Sequence, residues 1–130
     1  MNKTLIETKG LKKYFQTVSG TLHAVDNINI KINDGETLGV VGESGCGKST
    51  LGRTVLRLNE ATEGQVLFEG KNIFKCSPKE MKKVRQDMQI IFQDPYSSLN
   101  PRMNVRELIA EPLIVNKIYK TKKEIDEKVY

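Results

Sequence analysis

Residues 42–50 read Gly-Glu-Ser-Gly-Cys-Gly-Lys-Ser-Thr and fit the pattern G-x-x-x-x-G-K-[ST]. These residue types at this spacing suit one task, which is holding a chain of phosphates. A nucleoside triphosphate carries several negative charges that must be held without bulky side chains in the way. Gly42, Gly45 and Gly47 let the backbone reach positive φ and turn its N–H groups, with those of Glu43, Ser44 and Cys46, inward as an anion nest. A helix starting at Lys48 adds the positive end of its dipole. Lys48 can reach the β- and γ-phosphates, the Ser49 hydroxyl can ligate Mg²⁺, and Thr50 can add a phosphate contact. Cys46 fills a variable position and reads either as a reactive thiol beside Lys48 or as a small filler.

A loop of this kind needs a strand before it and a helix after it. Thr37–Val41 is a short apolar run without alternation, as expected of a strand buried on both faces. Leu51, Val55 and Leu58 then recur at helical spacing, and Gly64 ends that pattern. Upstream, Leu5–Phe15 reads as a strand and Gln16–Thr21 as a loop. Val25, Ile28, Ile30 and Ile32 read as a half-buried strand, closed by the turn signal Asn33-Asp34-Gly35. Downstream, Gln65–Glu69 reads as a strand. Ser77-Pro78-Lys79-Glu80 is a capping-box helix start, with the helix running to Gln86. Met88–Phe92 is a second buried-strand candidate, and Gln93–Arg102 is a Pro- and Ser-containing loop. Asn104 caps a helix that Pro112 is expected to interrupt after Ala110, and Thr121 with Glu124 forms a further capping box.

Composition narrows the function classes. The chain has 130 residues, of which 38% are hydrophobic and 28% charged, so collagen-like, low-complexity and wholly disordered chains are excluded. The formal charge is +5, and all of it lies in residues 71–130, because residues 1–70 carry eight basic and eight acidic side chains. Such a basic half invites a nucleic-acid reading. Its clusters, Lys79/Lys82/Lys83/Arg85 and Lys117/Lys120/Lys122/Lys123, have no aromatic platform or base-reading motif beside them. They read as solvated helix faces, with no nucleic-acid partner. Two cysteines without a CxxC argue against a disulfide framework, and the single histidine, His23, leaves a His/Cys zinc site short of ligands. No apolar run reaches membrane-spanning or signal-peptide length, which points to a cytoplasmic protein.

Three further features resemble the ATP-binding cassette (ABC) family: a hairpin region over residues 1–32 ahead of the loop, the aromatic pair Tyr14-Phe15, and Ile90-Ile91-Phe92-Gln93-Asp94, which is similar to the family's Q-loop. Leu38–Thr50, Gln93–Arg102 and Ile109–Leu113 are similar to the oligopeptide/dipeptide (and nickel) importer branch, and closer to its F-type subunit. The resemblance implies an α/β phosphate-loop NTPase fold with an N-terminal antiparallel β-subdomain. Residues 1–35 would form the hairpin region, 36–94 the phosphate-loop core and 95–130 the start of a helical subdomain. It implies ATP and Mg²⁺ as ligands and Gln93 as a residue that helps hold Mg²⁺ and the attacking water. Phe15, or its rival Tyr14, would stack on adenine, unless it is a core aromatic, and Val25 would make an adjoining contact. The implied partners are a second, homologous ATP-binding subunit, integral-membrane permease subunits and, indirectly, a substrate-binding protein. That places the chain at the inner face of the cell membrane.

A full cassette is roughly twice this length. No Leu-Ser-Gly-Gly string occurs, no apolar run precedes an Asp-Glu pair, and His23 lies upstream of the loop, where a switch histidine does not belong. The chain is therefore expected to be the N-terminal half of a cassette, without the carboxylate pair that activates water. Its central sheet should lack the strand beside the phosphate-loop strand. The alternatives are a non-transport ABC ATPase, a catalytically inactive nucleotide-binding fragment and an interaction fragment that pairs with intact subunits.

Overall fold

The computed structural model describes residues 3–130, which divide into one unit that ends at Ile90 and a second over Ile91–Tyr130. In the first unit, strand β1 (Thr4–Thr17) is the spine of a five-stranded antiparallel sheet. It is long enough to serve three partners. Its C-terminal half pairs with β2 (Gly20–Ile28). Its N-terminal half lies between β3 (Lys31–Asn33) and β4 (Glu63–Phe68), with Ile6 opposite both Ile32 and Phe68. β5 (Lys71–Asn72) extends the sheet beyond β4.

The loop expected over Gln16–Thr21 contracts to Val18-Ser19, where the Thr17 hydroxyl donates to the Gly20 carbonyl at 2.6 Å. The single strand expected through Ile32 is divided into β2 and β3. The buried Thr8 hydroxyl accounts for the break, donating to Ile28 O at 2.9 Å and accepting from Ile30 N–H at 3.0 Å. The register of β1 on β2 passes from Lys13↔Val25 to Tyr14↔His23, which leaves Ala24 without an opposite residue. Ala24 is thus the extra residue of a β-bulge.

Neither segment expected as a buried parallel strand is one. Thr37–Val41 and Met88–Phe92 join no sheet, and apart from the buried Met88 their apolar side chains are exposed, Val41 by 96% and Ile91 by 89%. A strand needs a neighbour to take its N–H and C=O groups. Among the described residues every ladder is antiparallel and none borders these segments. The Asn33-Asp34-Gly35 turn does form, with Glu36 N–H on Asn33 O at 3.0 Å, but it leads into unpaired chain instead of a hairpin.

The core lies between the sheet and helix α2 (Pro78–Asp87). Leu11, Val66 and Ile73 are fully buried against Val25, Cys76, Met81, Val84 and Met88. Met81 and Val84, three apart, share one helix face and seat it there. Helix α1 (Lys48–Val55) adds Leu51 and Val55 at the edge of this cluster. It stops short of Leu58 because Arg57 turns left-handed (φ 52°) and closes a Schellman-type end, with Leu58 N–H on Arg53 O and Arg57 N–H on Thr54 O. The Arg57 guanidinium donates to the Ile73 and Cys76 carbonyls at 2.8 and 3.0 Å, fastening the rear of α1 to the core.

In the second unit, α3 (Val105–Val115) meets α4 (Lys122–Val129) through an Arg106–Asp126 ion pair. The expected interruption at Pro112 does not occur, and α3 continues for three residues beyond it. Proline removes only its own N–H from the ladder. Its carbonyl still accepts from both the backbone and the side chain of Asn116, at 3.1 and 3.0 Å.

Three of the helices start on capping boxes: Ser77 with Glu80, Asn104 with Glu107 and Thr121 with Glu124. The Glu80 carboxyl is held down at about 2 by its hydrogen bond from Lys71 and those from Ser77. A folded-state value below the ordinary carboxylate range contributes stability that is complete above that range and is lost as pH falls toward about 2. Glu80→Gln should therefore lower the urea midpoint at neutral pH and flatten its fall between about pH 5 and pH 2.5, so that the variant and wild type converge in acid.

Candidate functional site

Helix α1 begins differently from the other three. Its N-cap is Gly47 in a left-handed conformation (φ 99°), no side chain caps it, and no acid stands in its first turn. Its hydrogen-bond ladder opens with Leu51 N–H on Gly47 O. The N–H groups of Lys48, Ser49 and Thr50 therefore have no acceptor inside the helix. Ahead of them the loop doubles back at Glu43, whose carbonyl accepts from Cys46 N–H at 3.3 Å. Gly45 supplies a second positive φ of 79° with no heavy atom within 4 Å of where a Cβ would stand.

Lys48 folds over this loop. Its ammonium donates to Gly42 O at 2.7 Å, Glu43 O at 2.6 Å and Cys46 Sγ at 3.6 Å. Cys46 leans on Gly42, where a Cβ would meet its sulfur at 2.5 Å. Ser49 is exposed at the start of the helix.

Strand β2 forms the opposite wall. His23, Val25 and Asp26 line a cleft of about 330 Å³ together with Cys46, Gly47 and Lys48. The closest approach is backbone on backbone. A Cβ on Gly47 would stand 2.1 Å from the carbonyl oxygen of Ala24, the bulge residue. The two candidate aromatics point to different surroundings. Tyr14 stacks on His23 with ring centroids 3.9 Å apart and an interplanar angle of 17°, and its hydroxyl donates to Asp26 at 2.5 Å. That hydrogen bond to a carboxylate raises the Tyr14 hydroxyl above the ordinary tyrosine range. Phe15 is 36% exposed, stands opposite Leu22 on β2 and has the Lys13 ammonium 4.8 Å from its centroid. Val25 is buried in the core. Gln93 is exposed in a bend of the second unit. Sequence reasoning missed Ala24 and Asp26, because a bulge and a cross-strand hydrogen bond leave no local pattern.

The family model described as ABC transporter matches residues 25–129, most of the chain. The chain belongs to the ABC transporter family. It is 53% identical over its whole length to the oligopeptide transport ATP-binding protein OppF of Bacillus subtilis, of which it covers 43%. It is 46% identical over 98% of its length to the protein of the same name from Escherichia coli, covering 41% of that protein. The chain thus spans less than half the length of these curated relatives. Among solved structures, the dimeric bacterial ABC transporter cassette MJ0796 superposes with a TM-score of 0.80 at 28% identity, over 95% of this chain and 53% of that one. The same cassette bound to ADP and phosphate gives 0.82 at 26% identity, over 96% and 54%. The fold is the α/β fold of these ABC cassettes, seen over about half of their length.

The two loop glycines make a controlled comparison. Gly45→Ala meets only the backbone penalty of positive φ, about 1–2 kcal/mol. Gly47→Ala adds a collision with the Ala24 carbonyl. Urea denaturation should show the larger loss for Gly47→Ala.

Proposed function

We propose that this chain is the nucleotide-binding front half of the ATPase subunit of an ABC importer for oligopeptides, with ATP and Mg²⁺ as its ligands. The observation that carries this reading is the uncapped start of α1 with Lys48 folded over it, on a chain about half identical to oligopeptide transport ATP-binding proteins. The donor set fits a polyphosphate: three helix-start N–H groups without helical acceptors, the Lys48 ammonium and no acid in the first turn. The exposed Ser49 hydroxyl would supply an oxygen ligand to a hard cation bound with the nucleotide. Bound Mg·ATP would supply the phosphoanhydride bond whose cleavage drives the transport cycle.

The chain's own residues have separable tasks in this reading. Lys48 exchanges the Gly42 and Glu43 carbonyls for phosphate oxygens. The N–H groups of residues 43–50 fix the phosphate chain in place. Phe15, whose ring is partly free, stacks on the base. Gln93 helps hold Mg²⁺ and the attacking water as an uncharged amide, and it links the site to the transport partner. The exposed Tyr96 and Leu99 beside it suit contact with a membrane permease. A second, homologous ATP-binding subunit completes the machine at the cytoplasmic face of the membrane.

No apolar run precedes an Asp-Glu pair in these 130 residues, so the carboxylates that activate water are assigned to the part of the cassette this chain does not span. The chain is expected to bind nucleotide and turn over essentially none. Titration with a fluorescent ATP analogue should show binding that Lys48→Ala weakens by about tenfold or more, the scale of one charge-assisted contact to phosphate. Steady phosphate release by the purified chain, abolished by Lys48→Ala, would overturn the division of labour. Equal binding by wild type and Lys48→Ala would overturn the site.

A further inference from the structure

The family resemblance leaves Tyr14 and Phe15 as rivals for one role, stacking on the base. The structure gives them different ones. Tyr14 is committed on two sides. Its ring lies parallel to His23 at 3.9 Å, and its hydroxyl donates to Asp26 at 2.5 Å. Its backbone N–H is also tied, donating to the Thr62 hydroxyl at 2.9 Å. His23 and Asp26 bracket the two residues Ala24-Val25, so Tyr14 grips β2 on both sides of the bulge. Asp26 closes the grip, since its other oxygen stands 3.9 Å from His23 Nδ1.

The gripped residue is the one that meets the phosphate loop. Ala24 has no residue opposite it on β1, and its carbonyl fills the space a Gly47 side chain would need. Gly47 is the N-cap of α1 and directly precedes Lys48. We propose that Tyr14 is a positioning residue of the phosphate site: through His23 and Asp26 it sets the Ala24 bulge, and the Ala24 carbonyl sets Gly47 and the start of α1. Phe15, with neither contact, is left free for the base. The inference rests on the phosphate-site reading above and assigns Tyr14 a role that acts through the phosphates instead of the base.

The two roles separate with a ligand that has no base. Tyr14→Phe keeps the ring on His23 and removes only the hydroxyl. It should weaken binding of ATP and of inorganic triphosphate by the same factor, about fivefold, the scale of part of a charged hydrogen bond. Asp26→Asn should do likewise, and the double variant should be no weaker than either single one. Phe15→Ala should weaken ATP and spare triphosphate. Without ligand, hydrogen exchange of the amides at residues 45–49 should quicken in Tyr14→Phe, while those of β4 stay as in wild type at an unchanged melting temperature. A Tyr14→Phe chain that binds both ligands and exchanges like wild type overturns the proposal. So does a Tyr14→Ala chain that loses ATP but keeps triphosphate. If wild type binds neither ligand, the phosphate-site reading fails, and the exchange rates still decide whether Tyr14 sets the loop.

Discussion

A glycine with no room for a methyl group joins the two halves of the site. Gly47 needs positive φ to end the loop and start α1, and it needs a bare Cα because the Ala24 carbonyl occupies the adjoining space. The antiparallel sheet and the phosphate loop meet at this contact. Much of the first unit follows from keeping it. β1 is long enough to carry β2 at one end and β3 and β4 at the other. The bulge residue of β2, Ala24, brings its carbonyl against the loop at Gly47. Arg57 pins the far end of α1 to the carbonyls of Ile73 and Cys76. An eight-residue helix held at both ends has little freedom to shift its first turn, where the uncapped N–H groups lie.

What could be read from the sequence was local. The phosphate loop is nine consecutive residues, recognisable from their types and spacing without knowing what packs on them. Each capping box needs only a Ser, Thr or Asn and a Glu three residues on, and all three form where expected. Strand pairing is not local. Thr37–Val41 has the composition of a buried parallel strand, but composition cannot supply a neighbour, and the segment lies unpaired and exposed. The Ala24 bulge escapes detection for the same reason, since it exists only as an offset between two strands. Pro112 shows the reverse error: a strong local rule gave way because the carbonyls around it kept their partners.

The uneven charge of the chain has a structural counterpart. Lys71 is paired with Glu80 at 2.6 Å, and Arg106 with Asp126. Lys79, Lys82 and Lys83 share the solvent side of α2, whose other side is buried through Met81 and Val84. The phosphate loop draws on none of this excess. It stands in the electrically balanced half of the sequence and works with one ammonium and backbone dipoles, short-range donors that salt screens little at contact distance.

The Lys48 ammonium has three protons and, within its own loop, three acceptors at Gly42, Glu43 and Cys46. An incoming anion meets a cation that is already engaged. It must outcompete two carbonyls and a sulfur, so binding is an exchange, and its strength is the difference between two sets of contacts. Chloride or a carboxylate, with a single charge and few oxygens, recovers little more than it displaces. A chain of phosphates recovers those contacts and also fills the open helix start. On the proposed reading, this exchange would favour a chain of phosphates over small anions with no side chain devoted to excluding them.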